Sequence, residues 1–254
     1  MTFPESLAES QQIKEEIRAR YNRMADAELA SPGAFESLSR ARNYFRTRKL
    51  DAALDLGEFP SGGRILEVGC SVGHFTFPLA RRGYRVHGVD LSTQSVQVAV
   101  RRVEAERVPD VTFAVEEAEE LCGVPSETCD GVVSFSTLRY VPDLPKALAA
   151  IHRVLKPGAS AVVDFPNRRC PWFYLKPWLG SERHPHDRWF TTSEVRRMVE
   201  AAGFQDVRVR HILFTPTVAP AALLPLFQGA DWIGERLPLI RRLAGIIMVS
   251  ARKP

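Results

Sequence analysis

The sequence predicts an α/β fold: a doubly wound, mostly parallel seven-stranded sheet with helices on both faces, an N-terminal helical cap and two insertions. Three observations carry this. From residue 64 onward, short apolar runs alternate with amphipathic helical stretches, the pattern of strands joined by crossover helices and so of parallel pairing. The first run, residues 64–68, passes directly into Gly69-Cys70-Ser71-Val72-Gly73, two glycines four residues apart entering a helix-like stretch, where backbone can approach a ligand closely. The second run ends in an acid, Asp90.

The 254 residues, 45% of them hydrophobic, can bury a sizeable core, so one α/β domain with insertions is expected. A net charge of +4 is mildly basic and gives no reason to expect nucleic acid. Residues 1–20 are polar with no apolar segment, and no run reaches the roughly 18 apolar residues of a membrane span, so a cytoplasmic chain is expected. Cys70, Cys122, Cys129 and Cys170 form no C-x-x-C pair and no zinc spacing, which reads as reduced thiols. His184-Pro185-His186 has no carboxylate or cysteine at helical spacing, and no metal is expected.

Residues 5–30 read as a helix, with Leu7, Ile13, Ile17 and Met24 apolar and Ser31-Pro32-Gly33 as its stop. Residues 34–56 read as a second, and together the two make a cap over 1–58, before a core of 59–254. Strands follow at 64–68, 84–90, 111–115 and 129–136, with helices at 75–82 and 95–105. Asp143 caps a helix with Pro145 in its first turn and Leu144, Leu148, Ile151 and Leu155 on one face. Lys156-Pro157-Gly158 ends it before a fifth strand, 160–165. Thr191 and Glu194 form a capping box opening a helix that stops at Gly203. Strands six and seven are 204–214 and 244–251, and the insertions are 167–190 and 216–243.

Ser71 stands where a dinucleotide fingerprint needs its second glycine, and Glu67 would repel a pyrophosphate while suiting a cationic ligand. Both count against a nicotinamide enzyme. Asp90 follows Gly73 by 17 residues, near the spacing at which an acid meets ribose hydroxyls. The alternative is that it caps the next helix, a role Ser92 can also fill.

The segment Glu67-Val68-Gly69-Cys70-Ser71-Val72-Gly73 resembles the acid-x-G-x-G-x-G motif of class I, Rossmann-like S-adenosylmethionine (SAM)-dependent methyltransferases. The resemblance runs from about residue 60 to 166. Glu116-Glu117-Ala118-Glu119-Glu120-Leu121 resembles the family's G-D-A-E-x-L, Asp130-Gly131-Val132-Val133 its D-x-V-V, and Leu155-Lys156-Pro157-Gly158-Ala159 its L-K-P-G-G. It implies SAM as cofactor, with Glu67 and the backbone at Gly69 and Ser134 on the methionine portion, Asp90 on ribose, Leu91 on the adenine face and Glu117 on the adenine amino group. Cys70, Gly73 and Ala118 belong to the same motifs. Tyr21, in the stretch Arg20 to Ala25 that is similar to an aromatic-x-x-(Met/Ile)-Ala entry, would cap the cofactor. Glu116 replaces the family's usual glycine, and Leu138-Arg139-Tyr140-Val141 stands where many small-molecule members read Leu-His-His-Val.

Ser134-Phe135-Ser136 is unlike the Asn/Asp-Pro-Pro-aromatic segment of enzymes that methylate nucleic-acid amino groups, so the resemblance implies a small-molecule acceptor. An oxygen acceptor usually needs a base. Tyr140 with Asp164 could form one, provided the tyrosine pKa is lowered; an acidic acceptor needs none, and Arg139, Arg168 or Arg169 could hold its anion. The 167–190 loop leaves strand five beside the expected site, which marks it as a substrate cap. Its Trp172, Phe173, Tyr174, Trp178, Trp189 and Phe190, with the leucines of 216–243, suggest a lipophilic acceptor, and O-methylation is the transfer expected. The 216–243 segment reads equally as a peripheral lipid contact or a homodimer interface. A non-catalytic SAM-binding regulator and N- or C-methylation stay open.

Overall fold

The structure, a computed structural model, describes residues 6–30, 40–175, 186–216 and 219–254. Its helices are α1 (Leu7–Ala30), α2 (Arg40–Gly57), α3 (Thr76–Ala80), α4 (Thr93–Glu106), α5 (Leu144–Val154), α6 (Pro171–Leu175), α7 (Thr192–Ala201) and α8 (Leu224–Gly234). Its strands are β1 (Arg64–Val68), β2 (Arg85–Asp90), β3 (Val111–Val115), β4 (Cys129–Ser134), β5 (Leu155–Pro166), β6 (Gln205–Ile212) and β7 (Ile246–Arg252). They form one seven-stranded sheet in the order β3-β2-β1-β4-β5-β7-β6. The first five pair in parallel, and β7 runs antiparallel to both β5 and β6. The expected fold class holds, with that antiparallel hairpin as its one departure from parallel pairing.

Side chains alternate across a strand, so each strand feeds two cores. Leu66, Val68, Val132, Ala161, Val163 and Val249 face α5 and α7, while Ile65, Val133, Val162 and Met248 face α2 and α3. The apolar stripe of α5 is buried as its spacing predicts, and Asp143 caps it by accepting the Lys146 N–H at 3.0 Å. Each fully buried leucine of that stripe contributes roughly 1.5–3 kcal/mol. The capping box at Thr191 and Glu194 is present at the start of α7.

The boundary expected at residue 58 falls inside a packed layer. α2 places Leu50, Ala53 and Leu56 in the same core as Ile65 and Met248, and the Ser250 hydroxyl donates to the Leu56 carbonyl at 2.9 Å. α1 alone has the position of a cap, lying along α4 where Ala25 meets Val72 and Val98. Lys156-Pro157-Gly158 is drawn into β5, whose first residue, Leu155, pairs with Cys129. Among the described residues, no helix is long and apolar enough to cross a membrane.

Candidate active site

The site is built on the turn between β1 and α3. Gly69 has φ +80°, and a Cβ there would lie 2.0 Å from Thr137 Oγ1, so only glycine fits. The Gly69 and Cys70 N–H groups both donate to the Val89 carbonyl, at 2.8 and 3.0 Å, which ties the turn to β2. Ser71 also adopts a left-handed conformation, φ +50°, the conformation for which the related motif carries glycine. Its N–H donates to Asp90 Oδ2 at 2.7 Å, and the Ser92 N–H donates to Oδ1 at 2.8 Å. Asp90 therefore fastens the turn, and the cap of α4 is Ser92, whose hydroxyl accepts the Ser95 N–H at 3.1 Å. Burial pushes the Asp90 carboxyl up, against the pull of these hydrogen bonds.

A cleft of about 340 Å³ opens here, at the carboxyl ends of β1, β2 and β4 and under α1. Tyr21, Gly69, Cys70, Asp90, Leu91, Glu117, Ala118 and Tyr140 all line it. Glu67, Gly73 and Ser134 do not. Glu67 is buried beneath the floor, where its Oε2 accepts the Thr76 hydroxyl and burial pushes the carboxyl up to about 8. Gly73 is a packing glycine: a Cβ would come within 2.4 Å of the Phe77 ring. The Ser134 hydroxyl is spent on the Val68 carbonyl at 2.8 Å.

The outer end is acidic and clamped. Lys14 of α1 forms ion pairs with Glu117 at 2.6 Å and with Glu119, while Arg18 reaches Glu117 at 3.5 Å. The Tyr21 ring packs edge-on to Tyr140 at 6.3 Å, and the Ser92 hydroxyl donates to Asn22 Oδ1 at 2.7 Å.

The inner end is aromatic, with Phe75 and Phe135 stacked at 4.1 Å and Phe45 beside them. Set among these rings is Lys49, only 1% exposed, with its ammonium 5.5, 5.7 and 5.6 Å from the Phe45, Phe75 and Phe135 centroids. It hydrogen-bonds Ser136 Oγ at 2.7 Å and is ion-paired with Asp164, also 1% exposed, whose Oδ1 accepts the Ser136 N–H at 2.6 Å. His74 lines the same cleft, and its pKa is pushed down to about 3, by burial first and then by Arg46 and Arg102, so its ring is neutral.

This arrangement corrects the expected acceptor chemistry. Burial, the largest effect on Tyr140, raises the pKa of the phenol, the opposite of what a base requires. Asp164 does not line the cleft; it is the buried partner of Lys49. Arg139 is committed to Asp187 and packs over Trp189 at 5.6 Å, and Arg168 donates to both oxygens of Glu194, so neither waits for an anion. In the 167–190 loop, Trp178 and His184 lie outside the described residues, and none of its described residues lines the cleft. The Trp172 indole donates to the Phe214 carbonyl at 2.7 Å, and Phe190 packs on Phe165. His186 pairs with Glu16 at 2.8 Å, and the described residues contain no metal-binding group of His, Cys, Asp or Glu. None of the four cysteines is in a disulfide.

Lys49 escaped the sequence reading, although a signal was there. Phe45, Lys49, Ala53 and Leu56 share one stripe of α2 at helical spacing, and a lysine on an otherwise apolar stripe is anomalous.

The donor set suits SAM. Asp90, Glu117 and Glu119 offer carboxylates to hydroxyl, amino and cationic groups, the floor is backbone at a glycine that no side chain could replace, and the inner wall is apolar. A doubly wound sheet with such a cleft at its carboxyl edge defines a class of enzymes that bind an adenosine-type cofactor at a strand-to-helix turn. The model of the methyltransferase domain matches residues 38–209, and the chain belongs to the class I SAM-dependent methyltransferases. It is 30% identical over 226 residues, 85% of this chain and 90% of the relative, to a ubiquinone biosynthesis O-methyltransferase of Idiomarina loihiensis. It is 32% identical over 60% of this chain and 56% of the relative to the SAM-dependent Diels-Alderase iccD of Talaromyces variabilis. Its fold matches that of a SAM-dependent methyltransferase of Thermotoga maritima, described as a possible histamine N-methyltransferase, with TM-score 0.63 and 20% identity, over 96% of this chain and all of that one.

Proposed function

We propose that this enzyme methylates a hydroxyl oxygen on a lipophilic small molecule, an aromatic ring hydroxyl of the kind that the name of its ubiquinone-pathway relative suggests. The observation that carries the reading is the inner end of the cleft, where Phe45, Phe75 and Phe135 make an aromatic wall suited to an aromatic acceptor, with Lys49 and Ser136 among the polar groups beside them. SAM, when bound, supplies a methyl group on a positively charged sulfur. The chain's own residues supply alignment and exclusion of water. Gly69, Cys70, Asp90, Leu91, Glu117, Ala118 and Tyr21 are the proposed contacts to the cofactor, with Asp90 oriented by the Ser71 and Ser92 N–H groups so that its free lone pairs face hydroxyl donors. Glu67 acts from beneath, through Thr76.

Incubation with SAM and a panel of alkylphenols and alkylcatechols, read by mass spectrometry, tests the reading. An O-methyl ether is expected. Binding of S-adenosylhomocysteine without transfer to any hydroxyl, or transfer to amines alone, would overturn it.

The 216–243 segment supports a peripheral lipid contact. Leu224 is buried, but Leu226, Trp232, Ile233, Leu239 and Ile240 are exposed, with Leu226 at 71% and Leu239 at 79%. Arg236, Arg241 and Arg242 stand among them, a mixture of apolar and basic groups that matches an anionic bilayer surface.

A further inference from the structure

We infer that Lys49 is the general base of this active site: it takes the proton of the acceptor hydroxyl, with Asp164 and Ser136 as the groups that position it. The inference rests on the hydroxyl-acceptor reading above and adds the residue that the reading lacks.

The pair it forms with Asp164 is a poor way to stabilise a fold, because desolvating two ions offsets most of their attraction and apolar replacements of such pairs are often neutral or better. Its place on the cleft wall is what calls for a role. The lysine nitrogen has three positions for partners, and two are taken, by Ser136 Oγ at 2.7 Å and by Asp164. Lys49 also lines the cleft, which makes an acceptor oxygen there the candidate third partner. Three rings around the nitrogen of a side chain only 1% exposed keep out bulk water.

The charges around Lys49 set its proton affinity. Burial lowers it first; Asp164 raises it; Arg139 and Arg46 lower it again, and the net direction is down. His74 is neutral and adds no charge. A sulfonium bound in the same cleft is one more positive charge and pushes in the same direction. Each of these effects other than Asp164 makes the ammonium easier to deprotonate, the direction that a lysine serving as a base needs. In the step itself the acceptor O–H bond breaks and an N–H bond forms on Lys49. The oxygen keeps the electron pair with which it would bond to the methyl group of bound SAM as the methyl–sulfur bond broke, the sulfur keeping that pair and leaving as the neutral thioether S-adenosylhomocysteine, and the new ammonium is balanced by the Asp164 carboxylate until its proton passes to water.

Two measurements on the 254-residue chain test this. The first uses 13Cε-lysine-labelled protein with S-adenosylhomocysteine bound, the Lys49 signal being assigned by its loss in Lys49→Arg. Its titration midpoint should lie below that of the exposed lysines. A midpoint at or above that of the exposed lysines overturns the inference. The second follows methyl transfer to a long-chain 4-alkylcatechol as a function of pH. Wild-type kcat should rise with pH along a limb that follows the measured midpoint, and Lys49→Met and Lys49→Arg should each lose about 10²-fold or more in kcat. Affinity for S-adenosylhomocysteine should stay within threefold. Arginine keeps the charge but cannot accept a proton, so Lys49→Arg retaining more than a third of wild-type kcat overturns the base role and leaves the acceptor reading standing. Asp164→Asn removes the group that raises the lysine, and the limb should move to lower pH; an unmoved limb also overturns the inference. A lowered Lys49 midpoint in a wild-type enzyme that methylates no hydroxyl overturns the acceptor reading instead.

Discussion

Replacing Glu67 with glutamine should change how stability depends on pH, by an amount set by the burial of one carboxyl. Glu67 sits under the cleft floor, where burial first, and the Asp90 carboxylate as the like charge nearby, hold its pKa up at about 8 despite the hydrogen bonding of Thr76. In the unfolded chain it titrates near its ordinary value of 4.5. Between those two values the folded chain holds a proton that the unfolded chain has lost, so stability falls as pH rises, by about 1.4 kcal/mol per unit. The loss begins above 4.5 and is complete above about 8. From pH 5 to pH 8 the wild type should therefore lose on the order of 4 kcal/mol relative to Glu67→Gln. The variant has no proton to release, and its amide oxygen can still accept the Thr76 hydroxyl. Urea denaturation of both proteins at pH 5, 6, 7 and 8 measures the difference directly, because titrations common to the two cancel. Parallel stability curves would refute the reasoning, as would a gap that widens toward acid.

Gly69→Ala should cost more than about 2 kcal/mol of stability, since it combines a left-handed backbone with a Cβ 2.0 Å from Thr137 Oγ1; a melting temperature within a degree of wild type would contradict the close approach. Asp90→Ala should weaken S-adenosylhomocysteine by about ten-fold or more in calorimetry, the loss of a charge-assisted hydrogen bond, and an unchanged affinity would remove Asp90 from the cofactor site. Leu226→Glu with Leu239→Glu should abolish co-sedimentation with phosphatidylglycerol vesicles while light scattering reports an unchanged molar mass. A dimer that falls to monomer would assign the face to a second copy of the chain instead.

The sheet was legible in the sequence because its information is local. Ile65, Leu66 and Val68 put apolar side chains on both sides of the first strand, and the caps at Asp143 and Thr191 announce their helices within three residues. The turn at Gly69 and the acid at Asp90 were legible for the same reason: strand, turn and acid lie in sequence order along one βαβ unit. What the sequence could not decide was which groups meet across elements. Glu67 and Ser134 belong to the right motifs, yet strand pleat and depth place them below the cleft, and one residue of offset determines which side of a strand reaches a ligand. Asp164 looked like a base because it ends a central strand, but only the packing of α2 against β5 brings Lys49, 115 positions away in the chain, onto its carboxylate. The aromatic loop 167–190 suggested a substrate cap, and of its described side chains Phe190 packs on Phe165 of β5, Trp172 donates to the Phe214 carbonyl and Arg188 to the Val141 carbonyl. Apolar composition specifies that a side chain leaves water, and the tertiary structure alone decides against which neighbour.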